Sequence, residues 1–336
     1  MRGGGARAPN PMKKIIPLAL AAALALAGSA SGAEKRITIA FLPISTGNVY
    51  FASCRDGAEK AAKELGVDFI YDGPADPDPA RQIEIVDRWI TLGVDAIAAA
   101  CDNKEGMSAV LRKAQGRGIK VITYDADAGA DARTFFVNQA TSESIGVALM
   151  DDAAQLCGNE GQYALITANL TSANENDWRK YIEARNKSAF PGMVQVAIRP
   201  CDDSIEKARV QATELLSAYP ALKLIMAICS PAVPGAAEAV KQAGKAGKVR
   251  VIGLGLPNEN KRYVHEGVTD NVILWSTQDL GSLTVHAAVA MVKGTLKPGD
   301  STFTAGSLGT FQIQAGQIYL GKPILFDKDN IDQFNF

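Results

Sequence analysis

Short β-branched apolar runs alternate with segments of helical periodicity along nearly the whole chain. The run 36–42 (RITIAFL) predicts a strand and 50–65 a helix stopped by Gly66. The beat continues with strand 67–71, helix 79–92 closed by Gly93, strand 96–100, helix 106–115 ended by Gly116 and Gly118, and strand 120–124. It resumes with helix 142–156, strand 163–167, helix 176–190, strand 194–198, helix 204–219, strand 224–227, helix 231–243 and strand 249–254. Beyond these the pattern gives helix 259–266, strand 271–275, helix 279–292, a Gly/Pro/Ser/Thr-rich stretch at 294–309, and short strands at 310–314, 317–320 and 324–326. Strands that are apolar at successive rather than alternate positions are buried on both faces, as in a parallel sheet covered by helices.

The two halves repeat one another. Segment 118–123 (GIKVIT) matches 247–252 (GKVRVI) in type, and 92–97 (LGVDAI) has its counterpart in 219–225 (YPALKLI). The expected fold class is therefore α/β, with two doubly wound parallel-sheet lobes. Open parallel sheets hold ligands outside the carboxyl ends of their strands, so two facing lobes would line one cleft.

The first residues break the pattern. Lys13-Lys14 precede an uncharged run of 14 residues, 15–28, too short for the ~20 residues that span a bilayer. Its length, basic flank and trailing small residues fit a signal peptide over 1–33, cleaved near Ala33 or Ala30. Met12 is an alternative start, which would make 1–11 an upstream extension, and a buried Ala/Leu helix is the structural alternative. No cysteine follows the run to take a lipid anchor. Loss of residues 1–33 removes Arg2, Arg7, Lys13 and Lys14, leaving 31 basic against 36 acidic residues, a net charge of −5. The expected product is periplasmic.

Composition narrows the function. At 336 residues, 47% apolar and 21% charged, the chain is neither disordered nor a polytopic membrane protein and makes about two domains. No basic surplus supports nucleic-acid binding. Five cysteines, Cys54, Cys101, Cys157, Cys201 and Cys229, are odd in number and lack C-x-x-C spacing; buried thiols are the simple reading, with Cys157–Cys201 the pairing expected if one bond forms. The two histidines, His265 and His286, fall in predicted helices, so neither a zinc site nor a catalytic base is expected. Phosphate-loop, nucleophile-elbow and metalloprotease motifs are absent from the sequence, and 253–257 (GLGLP) lacks the third glycine of a dinucleotide fingerprint. The 327–332 run DKDNID mimics a calcium loop without its glycine or terminal Glu and reads as a solvated tail. Neither cofactor nor metal is expected. Asp125 and Asp127 could hold a divalent metal in a nucleotide-sugar transferase, a reading the export signal weakens.

The strand ends carry polar and aromatic residues: Ser45, Asn48, Tyr50 and Phe51; Asp102 and Asn103; Asp125 and Asp127; Asn174, Asn176 and Trp178; Ser230; Asn258; Trp275 and Gln278. Asp and Asn meet adjacent hydroxyls with paired hydrogen bonds, and aromatic rings cover the C–H faces of a sugar. The same Asp and Asn residues can equally cap the next helix.

In order along the chain, 39–43 (IAFLP), 71–74 (YDGP), 93–97 (GVDAI), 123–127 (TYDAD), 171–178 (TSANENDW), 253–257 (GLGLP) and 329–334 (DNIDQF) resemble the type I periplasmic binding proteins of ABC importers. The likeness is to the ribose-binding class, and within it to the rhamnose-binding and autoinducer-2-binding subgroup. It implies two lobes joined by three crossings near Gln139, Asn271 and Asp300, with lobes 34–139 plus 272–300 and 140–271 plus 301–336. It also implies capture without chemistry by a monomer, delivery to a permease, and a chemoreceptor as a further candidate partner. Autoinducer-2 binders of this subgroup carry Lys at Ile44, Asp-Gln at Asn174-Glu175, and Pro and Ala at Ile228 and Ser230; of that ligand set Asp125 alone matches. A neutral deoxyhexose, pentose or polyol is therefore expected, although rhamnose binders carry Asn at Ser276. A secreted glycan-active enzyme is the competing reading.

Overall fold

A computed structural model describes residues 1, 3–9 and 35–336. Most of the expected signal peptide, its apolar run and cleavage point included, lies outside the described residues. Residues 1–35 and 36–336 are separate units; in the first, residues 3–9 are exposed and without helix or strand.

The second unit begins with β1 (Thr38–Leu42), α1 (Val49–Leu65), β2 (Asp68–Tyr71), α2 (Pro79–Leu92), β3 (Ala96–Ala99), α3 (Lys104–Gly116), β4 (Lys120–Tyr124) and β5 (Phe135–Asn138). Helix boundaries follow local chemistry. Asp78 caps α2 by accepting from the Arg81 amide, Pro79 occupies its first turn, and Gly93 ends it in the left-handed conformation. The five strands are parallel in the order β2-β1-β3-β4-β5, so the winding reverses between β1 and β3. β5 is missing from the sequence reading: Phe135-Phe136-Val137 is a short apolar patch without alternation or flanking strand signals.

The same winding recurs in α4 (Ser142–Cys157), β6 (Glu160–Thr167), α5 (Ala173–Ala189), β7 (Gly192–Pro200), α6 (Ile205–Ala218), β8 (Leu222–Ala227), α7 (Ala232–Gln242), β9 (Arg250–Gly253), α8 (Pro257–His265) and β10 (Asn271–Leu274). The second sheet runs β7-β6-β8-β9, and a parallel bridge from Leu254 to Ile273 adds β10 at its edge. The internal likeness of the two halves is thus a likeness of topology.

The remainder is α9 (Thr277–Lys293), β11 (Thr302–Thr304), β12 (Thr310–Gln314), β13 (Gln317–Tyr319) and β14 (Ile324–Asp327). α9 returns to the first sheet and lies along α1. There the helices touch backbone to backbone: a Cβ on Gly57 would sit 1.9 Å from the Gln278 carbonyl oxygen, and one on Gly281 1.9 Å from that of Cys54.

Two of the expected crossings move. β10 stays with the second sheet, so the chain passes over after Leu274, not at Asn271. Residues 302–319 do not join the second lobe: β13 pairs in parallel with β5, and β12 and β11 extend that edge. The third crossing therefore lies between Tyr319 and Ile324, not at Asp300; β14 then pairs with β10. The physical reason is a tight turn at Ala315-Gly316, both at positive φ (50° and 71°), which folds β12 onto β13 as a hairpin.

Candidate functional site

Each sheet ends its strands toward one cavity of about 800 Å³. In the first lobe the loops after β1, β3 and β4 supply Asn48, Asp102, Asn103 and Asp125, and the first turn of α1 supplies Tyr50 and Phe51; in the second, the loops after β7 and β8 supply Asp203 and Ser230, and the first turns of α5, after β6, supply Asn174 and Trp178. Trp275 enters from the crossing between β10 and α9. These loops flank the two places where winding reverses, the usual ligand position of open parallel sheets.

Asp125 is the best-defined polar group. It follows β4 at φ 60°, a left-handed conformation that Asp adopts at a modest cost of about 1–2 kcal/mol. It is 7% exposed. Tyr50 Oη donates to its Oδ1 at 2.6 Å, and Trp275 Nε1 donates to Tyr50 Oη at 2.8 Å. This relay consumes Oδ1 and leaves Oδ2 without a protein donor. Burial pushes the Asp125 carboxyl up to about 6, against the lowering effect of the Tyr50 hydrogen bond, with a further upward push from Asp203.

Asp203 is the matching group of the second lobe. It stands after β7 in a turn with Asp202, both at positive φ (54° and 50°). Burial raises its carboxyl to about 6, opposed by a hydrogen bond from Asn48 of the first lobe and increased by Asp102. Asp102 is itself raised, by burial and then by Asp78. Ser230 Oγ also reaches Asn48 Oδ1, at 3.5 Å, so the strand ends of the two lobes meet across the cavity.

The aromatic wall is interlocked. Trp178 and Trp275 are tilted edge to face with centroids 6.2 Å apart, Tyr50 meets Trp275 at 6.3 Å, and Phe51 meets Tyr50 at 5.1 Å. Rings held this way offer a rigid apolar surface with little freedom left to lose on binding.

Of the fifteen strand-end residues singled out from the sequence, eleven line the cavity and Ser45, Asn176, Asn258 and Gln278 do not. α5 starts three residues earlier than its pattern suggests, and Asn176 donates to the Leu170 carbonyl and accepts from Arg179. Gln278 lies exposed on α9, away from the cavity. Asp127 lines the cavity, but both its oxygens are taken: Arg133 contributes Nε at 3.1 Å and a terminal nitrogen at 2.8 Å, and Thr123 Oγ1 and the Ala128 amide also donate. It braces the loop. Asn48 and Asn103 cap α1 and α3 through Oδ1, so the capping reading holds for them; the Asn48 amide nitrogen is turned to Asp203. Ser45 donates to the Ala75 carbonyl, and Asn258 joins the C-terminal residues Asn335 and Phe336.

Asp203 and Glu175 were missed. Asp203 lies in the loop between the strand predicted over 194–198 and the helix predicted over 204–219, so the strand-end rule covers it and the sequence reading passes over it. Glu175 is 5% exposed; its Oε2 accepts from the Ala168 amide at 2.8 Å and from Thr167 Oγ1, holding the loop after β6. Burial drives its carboxyl strongly upward.

Nothing in this cavity pairs a nucleophile with a histidine base: His265 contacts Asp332 at the surface and His286 lies on α9. Among the described residues no cluster of three or more His, Cys, Asp or Glu side chains could hold a metal ion.

Comparison with known proteins agrees with this architecture. Residues 39–296 match the periplasmic binding protein domain family. The D-ribose/D-allose-binding protein of Pseudomonas aeruginosa is 28% identical over 266 residues, covering 72% of this chain and 81% of that protein. The solute-binding protein of Clostridium phytofermentas with bound L-rhamnose superposes with a TM-score of 0.84 at 27% identity, covering 89% of this chain and 98% of that one. LsrB from Clostridium saccharobutylicum in complex with AI-2 gives a TM-score of 0.84 at 26% identity, covering 89% and 100%. Two doubly wound lobes around a cleft of carboxylates, amides and rings place the chain in the periplasmic binding protein family, among the sugar-binding solute-binding proteins of ABC transporters, which bind their solutes without transforming them.

Proposed function

We propose that this chain is exported by its N-terminal signal and captures a neutral sugar or polyol, a rhamnose-like deoxyhexose or a pentose, for an ABC importer permease. The observation that carries the reading is Asp125. Its carboxylate is buried, one oxygen is held by Tyr50, and the other meets a cavity of about 800 Å³ walled by Trp178 and Trp275. A cavity of that size accommodates a monosaccharide with its first waters. Vicinal hydroxyls donate to Asp125 Oδ2 from one side and to Asp203 from the other. Asn174, whose Oδ1 accepts from Ser172 and from the Glu175 amide, keeps its amide nitrogen to donate. The tryptophan rings cover the C–H faces.

Because the two carboxylates sit on different lobes, a ligand that satisfies both favours the closed arrangement. Differential contact is what drives hinge closure. Micromolar affinity, about −8 kcal/mol, is within reach of a few charge-assisted hydrogen bonds plus ring contact. Ile44 puts an apolar side chain into the cavity lining and supplies no donor there, which favours a neutral sugar over autoinducer-2.

The test is a thermal-shift screen with L-rhamnose, D-ribose, D-allose, D-arabinose and D-apiose, because ligand at ~100 times Kd adds about 2.7 kcal/mol. One or more of these sugars is expected to raise Tm and to be recovered unchanged. A shift with autoinducer-2 and none of the sugars, or a chemically altered sugar, would overturn the reading.

A further inference from the structure

Five cysteines occupy this chain, and two of their sulfurs meet. Cys201 follows β7 and Cys229 follows β8; these strands flank β6, and the two residues converge over its carboxyl end. The Cys201 amide bonds to the carbonyls of Thr167 and Ala168, and the Ile228 amide to that of Ile166. Both backbones are thus pinned to the same strand end. The sulfurs are 3.4 Å apart, with Cys201 fully buried and Cys229 at 6% exposure on the cavity wall. Cys54 and Cys101 belong to the first lobe and Cys157 ends α4. Among the described residues no other pair of cysteine sulfurs is in contact.

We propose that Cys201 and Cys229 are a disulfide-forming pair that ties the Asp202-Asp203 turn to the Ser230 turn on the second lobe's side of the cavity. The contact replaces the Cys157–Cys201 pairing expected from sequence. Bringing the sulfurs to bonding distance, about 2.05 Å, takes a closure of roughly 1.3 Å shared by two side chains. The periplasm, where the family places the chain, is a disulfide-forming compartment. The oxidant is a second disulfide, on a small thiol compound or a thiol–disulfide exchange protein. Cys229, which meets the cavity, attacks one sulfur of that disulfide and releases one thiol; Cys201 then displaces the other sulfur from the mixed disulfide. Two protein S–H bonds and one oxidant S–S bond are exchanged for one protein S–S bond and two oxidant thiols.

Contact with Cys201 and burial hold the Cys229 thiol protonated well above its ordinary range. Exchange therefore proceeds from the opened cleft or during folding. Cys229 is also in hydrogen-bond contact with the Asp203 carboxylate. Oxidation removes that S–H donor while fixing the turn that carries Asp203, whose two successive non-glycine left-handed residues are otherwise held by hydrogen bonds and an exposed Asp202–Lys207 ion pair.

The experiment treats the full-length native protein with glutathione disulfide, removes the oxidant, unfolds the protein in denaturant with iodoacetamide and no reductant so that the buried thiols react, and maps the peptides by mass spectrometry. Three alkylated cysteines and one cross-linked peptide joining Cys201 to Cys229 are expected. Cys229→Ser should return four alkylated cysteines and no internal cross-link. Five alkylated cysteines in the wild type, or a cross-link involving Cys54, Cys101 or Cys157, would overturn the proposal. The sugar screen repeated with a phosphine reductant present reports on the cleft separately, so failure of one reading leaves the other standing.

Discussion

Replacing Asp125 by Asn should weaken ligand binding and strengthen the empty protein, two effects of opposite sign from one atom. Burial raises the carboxyl to about 6 in the folded chain from its ordinary value of 3.8. At 1.36 kcal/mol per unit, holding it ionised at pH 7.5 costs the fold about 3 kcal/mol. Asn is isosteric and uncharged, and its Oδ1 can still accept from Tyr50. A gain of about 1–3 kcal/mol is therefore expected without ligand, with Tm rising about 1.5–2 °C per kcal/mol in a chain of this length. With Tyr50 keeping Oδ1, the substitution turns an NH₂ group toward the cavity where an acceptor stood. The lost hydrogen bonds to a charged acceptor are worth about 1.5–3 kcal/mol each, so affinity should fall about 10- to 1000-fold. Calorimetric titration with whichever sugar gives the largest shift, and thermal unfolding of the empty variant at pH 7.5, measure both. A variant that binds that sugar within threefold of wild type, or that melts several degrees lower when empty, refutes the reasoning.

The carboxyls of Asp125 and Asp203, both raised to about 6, make binding fall on acidification. Affinity should be level above pH 7 and drop about tenfold by pH 5 if one group must be ionised, or about 100-fold if both must; a flat profile by titration calorimetry would contradict this. Empty-protein stability runs the other way. Asp125, Asp152 and Asp203 bind protons in the native state between their unfolded values near 4 and about 6. Their contribution is therefore fully present below pH 4 and lost as pH rises through 6, and the urea midpoint should respond accordingly. Tyr50→Phe removes the hydrogen bond that lowers the Asp125 carboxyl and should move the midpoint of the affinity profile to higher pH; an unmoved midpoint would mean that Tyr50 does not set this charge. Gly57→Ala and Gly281→Ala each place a methyl 1.9 Å from a carbonyl oxygen of the facing helix and should cost about 1–3 kcal/mol or more, seen as a lower Tm. An unchanged Tm would mean that α1 and α9 can move apart freely.

Local pattern made the alternation of strand and helix readable, because buried parallel strands such as β3 and β4 carry continuous apolar residues and glycines such as Gly66 and Gly93 mark helix ends. The strand-end rule reached eleven residues of the cavity wall, Asp125 and Trp275 included, since it depends only on where strands stop. It failed where tertiary partners decide. The engagement of Asp127 by Arg133 is invisible until β4 and its loop are folded. The start of α5 at Ala173 rather than Asn176 changes where the Asn176 side chain sits. The Gly/Pro-rich stretch after α9 reads alike as a linker and as the approach to a hairpin; only the open edge of β5 decides between them. Asp203 escaped because the strand before it runs two residues further than its pattern shows, to Pro200, and the left-handed turn at Asp202-Asp203 that aims it is not visible in the sequence.

The hairpin laid against β5 has a consequence for assembly. The leading lobe needs α9 and residues up to 319 to complete its core helix pair and its sheet edge, whereas the inserted lobe between them is nearly continuous. A chain emerging from the ribosome cannot finish its first half until almost all of it has been made, and contacts so distant in sequence form slowly. Such an order of folding leaves the α1 face and the open edge of β5 uncovered while the inserted lobe is already complete enough to fold.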